Sequence, residues 1–371
     1  MTVSPKKKGE AGWLNSKQFA PLVFRPCKIK EACSVDKSPA PKMPSNDNQA
    51  SESFPSLAGG RYTYLSDLGK GMAGRVFKAR DQVLKKNVVI KTLHSDLSCG
   101  EELQRFQREA KAFSSLEHPN ILKVLDFGLS EDQVPYLVMA YVEGESFDKY
   151  LAKNAPLSGH AALLLTAQIC QAMQHAPSRG VLHRDLKPSN LLILEDSRGE
   201  LHIFILDFGL AKVNDPNSGA ISTLTKPGQL LGTAEYMSPE QASGQKCESA
   251  SDIYSVGCIL FEMVSGTPPF TGIALLEIIR QQREESPPLE QLRAQSPDID
   301  VASIVEKALE KNPRDRFSTM QEMHDAIDAA FQVLPPSEGT IAYPTPAKHA
   351  IASESTRTAL DCVSPKRKLR P

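Results

Sequence analysis

Residues 181–209 hold the feature that most narrows what this chain can fold into. Asp185, Lys187, Asn190 and Asp207 follow one another there in a stretch otherwise rich in Leu, Ile and Phe. One carboxylate can orient a hydroxyl nucleophile, an ammonium can meet developing phosphate charge, and an amide with a second carboxylate can hold magnesium. Taken singly, each residue is as easily a capped turn or a surface charge. Together and in this order they suit phosphoryl transfer from a nucleotide.

The run His183-Arg184-Asp185-Leu186-Lys187-Pro188-Ser189-Asn190, followed by Asp207-Phe208-Gly209, resembles the catalytic loop and metal-binding motif of the eukaryotic-type (Hanks-type) serine/threonine protein kinases. Lys187 is similar to the serine/threonine branch, and Ser238-Pro239-Glu240-Gln241-Ala242 gives the flavour of its bacterial members. The resemblance covers residues 61–330 and implies an α+β, two-lobed protein kinase fold. One lobe is then a small antiparallel β-sheet with one helix, and the other is larger and mainly helical. A second copy, Asp126-Phe127-Gly128, is read as the end of a strand with no catalytic role.

The resemblance also assigns chemistry. It implies that Asp185 orients the substrate hydroxyl and accepts its proton late in transfer, while Lys187 neutralises the moving γ-phosphoryl group. Thr233 would bond to both, and Asn190 and Asp207 would be hard oxygen ligands for Mg²⁺, with Mn²⁺ as a substitute. Upstream, Leu68-Gly69-Lys70-Gly71-Met72-Ala73-Gly74-Arg75-Val76 reads as a tight hairpin whose backbone amides approach phosphate oxygens without a Cβ in the way. Val88-Val89-Ile90-Lys91 is strand-like, and Lys91 would grip the α/β-phosphates of ATP. The segment from Glu101 to Leu116 has helical period, with Leu103, Phe106, Ala110 and Phe113 on one face. His118-Pro119-Asn120-Ile121 sets the register that makes Glu109 the partner of Lys91.

Ile121–Leu129 and Pro135–Tyr141 read as two strands, after which Met139 resembles the gatekeeper and Ala140, Tyr141 and Val142 the hinge that reads adenine. The family often has Glu at the position of Ala140, but the adenine contacts are main-chain. Val76, Val89 and Leu192 would form one apolar stack completed by adenine; Phe113, Val124, His183 and Phe208 would form another that joins the lobes. Gly232–Glu240 resembles the segment that seats a substrate peptide. Glu240 and Arg316 would pair in the interior, and Asp252 would brace the catalytic-loop backbone. Between Asp207-Phe208-Gly209 and Gly232–Glu240, residues 212–229 carry Ser218, Ser222, Thr223 and Thr225. A phosphate on Thr223 or Thr225 could pair with Arg184 and order this segment.

Composition fits this reading and excludes others. Of 371 residues, 40% are hydrophobic and 23% charged, ordinary values for a globular protein. A net charge of −1 gives no argument for nucleic acid or an anionic membrane. The seven cysteines lack paired metal-ligand spacing, and Cys170 and Cys258 read as buried free thiols. The basic N-terminus is followed by no continuous apolar segment, and Val256–Val264 is too short to span a bilayer and is interrupted by Glu262. A reducing, cytoplasmic setting is expected. The expected boundaries are a disordered extension over 1–58, a small lobe over 59–141, a large lobe over 142–334 and a disordered basic tail over 335–371. In the first of these, Trp13, Phe19, Leu22, Val23 and Phe24 could form a docking motif, and Cys27 and Cys33 could bridge or bind metal. Expected partners are ATP, proteins bearing Ser or Thr acceptors, and a second copy in a transient dimer for trans-autophosphorylation. A silent nucleotide-binding scaffold and a small-molecule phosphotransferase are the alternatives.

Overall fold

Runs of β-branched and aromatic residues with short polar turns build the strands between Tyr62 and Ala140. The computed structural model describes residues 57–71, 74–93, 100–176, 181–206 and 233–332. The expected N-terminal extension with its docking and cysteine motifs, Met72, Ala73, Asp207, Phe208, Ser218, Ser222, Thr223, Thr225 and the basic tail lie outside these residues. Strands β1 (Tyr62–Gly71), β2 (Gly74–Asp81), β3 (Lys86–Leu93), β4 (Val124–Leu129) and β5 (Pro135–Ala140) form an antiparallel sheet in the order β1-β2-β3-β5-β4. Strand β5 is buried along almost its whole length, as the apolar run Tyr136–Met139 requires of a strand with neighbours on both edges. Helix α1 (Gly100–Ser114) covers the sheet with the face carrying Phe106, Ala110 and Phe113.

The remainder is mainly helical. A second sheet of β6 (Glu145–Ser146), β7 (Leu191–Glu195) and β8 (Leu201–Ile205) lies among α2 (Phe147–Asn154), α3 (Gly159–His175), α4 (Pro239–Ala242) and α5 (Ser249–Ser265). Helices α6 (Leu275–Glu284), α7 (Glu290–Gln295), α8 (Val301–Ala308) and α9 (Met320–Gln332) complete it. Helices α3 and α5 are buried on most faces, which matches their nearly uncharged sequences. One apolar cluster runs from Val89 and Phe113 through α3 and α5 to Phe331, and a smaller one caps the outer side of the large sheet around Tyr62, Ile90 and Val138. Cys170 and Cys258 are fully buried in the first cluster, and burial pushes both thiols up. The strand expected to begin at Ile121 begins instead at Val124, because Ile121 is drawn away to bridge Ile205 in parallel. Asp126 of the second Asp-Phe-Gly lies within β4 and accepts from Arg61 Nη1 at 2.9 Å and the Tyr62 hydroxyl at 3.0 Å. Arg61 also reaches Asp81 at 2.7 Å, so one guanidinium ties the entry of β1 to β2 and β4.

The expected Glu240–Arg316 pair is present and buried. Arg316 Nη1 and Nη2 donate to the two carboxylate oxygens at 2.8 and 2.9 Å, and Ser251 Oγ donates to the first at 2.6 Å. The Arg316 side chain is 0% exposed, and its remaining donors meet the Glu310, Lys311 and Ala250 carbonyls. Burial alone would raise the Glu240 pKa, but Arg316 and Ser251 outweigh it and hold the carboxyl below the ordinary glutamate range. Removing one partner strands a buried charge. Arg316→Ala should therefore lower the unfolding free energy by about 3–5 kcal/mol in urea titrations, and Glu240→Met with Arg316→Leu should recover part of that loss.

Candidate active site

The catalytic-loop candidates converge where a one-turn 3₁₀ helix, Pro188–Asn190, feeds directly into β7. Pro188 presets the backbone of this turn. The Asn190 amide nitrogen donates to the Asp185 carbonyl at 2.7 Å and to Asp185 Oδ2 at 3.2 Å. Lys187 Nζ lies 3.2 Å from the same Oδ2 and donates to Thr233 Oγ1 at 2.8 Å. Asp185, Lys187, Asn190 and Thr233 thus form one connected polar cluster, half-buried and open on one side. The Asn190 amide nitrogen is committed to Asp185, which leaves its Oδ1 as the acceptor suited to a hard cation. Asp207, the other expected ligand, follows Leu206, whose N–H donates to the Asn190 carbonyl at 3.0 Å.

The loop carrying these groups is held by its backbone. Arg184 has φ of 61°, a left-handed conformation that a side-chain-bearing residue adopts only when its surroundings impose it. Asp252, in the first turn of α5, accepts from the His183 N–H at 3.0 Å and the Arg184 N–H at 2.9 Å. Gln241 Nε2 donates to the Arg184 carbonyl at 2.9 Å, and the Asp185 N–H donates to His183 Nδ1 at 3.3 Å. Asp252 was expected from the sequence; Gln241 was not, and only its place beside Glu240 could have drawn attention to it.

The nucleotide-side candidates lie on the large sheet. Gly69, Lys70 and Gly71 run along β1 opposite Val76, Arg75 and Gly74 of β2, and Leu68 sits at the register shift just before them. Gly74 has φ of 138°, and a Cβ there would come within 1.6 Å of the Thr92 carbonyl oxygen, so no side chain fits. Pairing sets Val76 across from Lys91, Lys91 across from Leu137, and Val89 across from Met139. Lys91 on β3 and Glu109 on α1 are both half-buried. Ala140, Tyr141 and Val142 leave β5 half-buried, with the Ala140 N–H donating to the Lys123 carbonyl at 2.9 Å. Leu192 is half-buried on β7 across from Ser146. A Cβ on Gly144 would approach the Ile193 carbonyl to 2.6 Å, so glycine lets the chain leaving β5 press against β7. Of the lobe-joining stack, Phe113, Val124 and His183 are buried.

Two buried amides escaped the sequence reading. Asn120 Nδ2 donates to Gln168 Oε1 at 2.9 Å and to the Ile203 carbonyl at 2.8 Å, while Gln168 bonds the Ile203 N–H and the Leu201 carbonyl. They fix β8, the strand that leads to Asp207. The available signal was an amide, Gln168, inside an otherwise apolar helical run.

The peptide-seating candidate is anchored as firmly. Gln282 Nε2 donates to the Ala234 and Glu235 carbonyls at 3.1 and 2.8 Å, and Ser255 Oγ donates to the Tyr236 carbonyl at 2.8 Å. The Tyr236 hydroxyl donates to Glu262 at 2.7 Å.

A family model for the protein kinase domain matches residues 62–327. The chain belongs to the protein kinase family. Serine/threonine-protein kinase pkn3 of Myxococcus xanthus is 40% identical over 275 residues, 72% of this chain and 50% of that one. PrkC of Bacillus subtilis is 38% identical (73% and 41% covered), and PknB of Mycobacterium tuberculosis 34% (76% and 45%). The chain spans about half the length of these curated relatives. The kinase domain of Mycobacterium tuberculosis PknI superposes with a TM-score of 0.56 at 24% identity, covering 73% of this chain and 95% of that one. Rad53 1-466 in complex with AMP-PNP gives 0.59 at 24% identity, covering 71% and 64%. These two bear out the two-lobed kinase fold. No helix among the described residues is long and apolar enough to cross a membrane.

Glu262 gives the kinase domain a testable pH dependence. Burial pushes its carboxyl up to about 7; the Tyr236 bond opposes the rise and the nearby Glu235 and Asp148 charges add to it. The folded chain therefore favours the neutral acid, and this contribution to stability is complete below the ordinary value of 4.5 and lost as pH rises through about 7. Glu262→Gln keeps an acceptor for Tyr236 and removes the titration. The variant should exceed wild type by roughly 1–3 kcal/mol at about pH 8, with the gap closing near about pH 5, in denaturant titrations at both.

Proposed function

We propose that this chain is a serine/threonine protein kinase that transfers the γ-phosphoryl group of ATP to Ser or Thr hydroxyls of proteins. The observation that carries the reading is the bonded cluster of Asp185, Lys187, Asn190 and Thr233 on a backbone braced by Asp252. The Asp185 carboxylate orients the acceptor hydroxyl and takes its proton late in transfer. Lys187, fixed between Asp185 and Thr233, meets charge developing on the transferred group. The glycine hairpin presents backbone N–H groups to the phosphates, and Lys91 grips them when Glu109 turns inward to pair with it. Ala140, Tyr141 and Val142 read adenine through their main chain beside Met139, and Val76, Val89 and Leu192 pack against its faces. Asn190 and Asp207 would hold Mg²⁺, or Mn²⁺ in its place, which when bound neutralises the nucleotide phosphates. Protein rather than small-molecule acceptors follow from the firmly anchored Thr233–Glu240 segment.

The same reading extends to regulation and setting. A phosphate on Thr223 or Thr225 is taken up by Arg184 and orders residues 212–229. A second copy supplies that phosphate in a transient dimer, and the enzyme works in the cytoplasm.

The deciding experiment incubates wild type and Asp185→Asn with labelled MgATP and a generic basic protein. Wild type should label the protein about 100- to 10,000-fold faster, the range a positioned acid–base group supplies, with nucleotide affinity unchanged between the two. Equal labelling with nucleotide still bound would mean a scaffold. A Thr223→Ala, Thr225→Ala double variant should label slowly after preincubation with MgATP, whereas wild type gains activity during it; full activity without a lag would refute the loop switch.

A further inference from the structure

The hairpin of β7 and β8 carries a second group of donors away from the proposed active site. Leu194 pairs with His202 and Glu195 with Leu201, and the turn closes with the Asp196 N–H donating to the Glu200 carbonyl at 2.9 Å. Asp196 Oδ1 accepts from the Arg198 and Glu200 N–H groups at 2.8 and 2.9 Å. Those two bonds lower the pKa of the carboxyl, which stays ionised and fixed in orientation. Its Oδ2 then points at His202 Nε2 from 3.5 Å, a long and weak approach. His202 is only 4% exposed, and its buried Nε2 has no hydrogen-bond partner among the described residues. A carboxylate oxygen of half-buried Glu200 completes the group, with one donor atom of each residue within 4.8 Å of the others.

A buried imidazole nitrogen without a hydrogen bond is costly, and in a native structure it calls for an explanation. Two carboxylates and one imidazole converging on a common point make a mixed N,O donor set. Such a set favours Zn²⁺ or Co²⁺ over Mg²⁺ and Ca²⁺, which take oxygen alone. The donors need to draw together only modestly to reach bonding distance of one ion, with water filling the open position.

We propose that Asp196, Glu200 and His202 form a divalent transition-metal site at the tip of the β7–β8 hairpin. The hairpin begins beside Asn190 and ends two residues before Asp207, so an ion at its tip would clamp together the strands from which both residues emerge. The site is independent of the proposed phosphoryl transfer and is tested by binding alone.

The test titrates the full chain, free of nucleotide, with Co²⁺ and follows its visible spectrum, then repeats the titration with Zn²⁺ by calorimetry. Asp207→Asn and Cys247→Ser serve as controls for ions held elsewhere. One ion should bind with N,O-type bands and no sulfur charge-transfer band. Glu200→Gln and His202→Gln should each weaken it at least about tenfold, since losing a ligand costs no less than losing an outer-sphere partner. Both controls should bind as wild type does. Zn²⁺ should also slow amide exchange across 191–205 in wild type and not in Glu200→Gln. If His202→Gln fails to fold, Glu200→Gln decides, because its side chain is half-buried and outside the core. Undiminished binding by Glu200→Gln, loss of binding in Asp207→Asn, or no wild-type binding up to millimolar metal would each overturn the site.

Discussion

The Asp252 carboxylate is the hinge of the whole arrangement. It spends both oxygens on consecutive backbone N–H groups, those of His183 and Arg184, and so holds a left-handed residue immediately before Asp185. Such a conformation costs a non-glycine residue on the order of 1–2 kcal/mol, which two hydrogen bonds can offset. The turn this imposes lets Asn190 reach back to the Asp185 carbonyl and lets Lys187 stand between Asp185 and Thr233. Asp252 itself is placed by α5, a helix buried on most faces. Core packing and loop geometry are therefore one problem here, solved by a carboxylate at the start of the central helix.

A second theme is how often a polar side chain secures backbone groups of a loop or of a strand at the edge of its sheet. Gln241, Gln282 and Ser255 grip Arg184, Ala234, Glu235 and Tyr236, while Asn120 and Gln168 grip β8. Buried amides carry both donor and acceptor, so one side chain satisfies two orphaned main-chain groups. The segments fixed this way flank the proposed site on both sides. Rigid positioning of reactive groups is what phosphoryl transfer asks of a protein, since the transition state leaves little covalent chemistry to supply.

Much of this could be read in the sequence, for a physical reason. Asp185, Lys187, Asn190 and Thr233 stood out because the phosphoryl transfer proposed for them calls for those residue types, and Glu240, Arg316 and Asp252 because each was expected to neutralise or hold one partner. The bounds of α1 followed from apolar periodicity and came within a few residues. The start of β4 did not, because its register depends on Ile121 bridging Ile205, a contact 84 positions away. Gln168 and Gln282 were illegible for a related reason: a glutamine looks the same whether it faces water or a distant carbonyl. The donors at 196–202 went unnoticed because their spacing matches no familiar ligand motif, and only hairpin pairing brings His202 back to Asp196.

The Glu240–Arg316 pair carries a consequence for the order of assembly. The two residues are 76 positions apart, and the carboxylate is made first. As the chain emerges during synthesis, the Thr233–Glu240 segment and α5 can collapse while Glu240 still lacks its counter-charge on Arg316. Closing so long a loop is slow compared with forming the helices inside it. Until Arg316 has been synthesised and docked, that part of the helical lobe must stay open to water at Glu240. Final consolidation of the segment proposed to receive substrate thus waits on nearly the last structured portion of the domain, a checkpoint written into the chain's direction of growth.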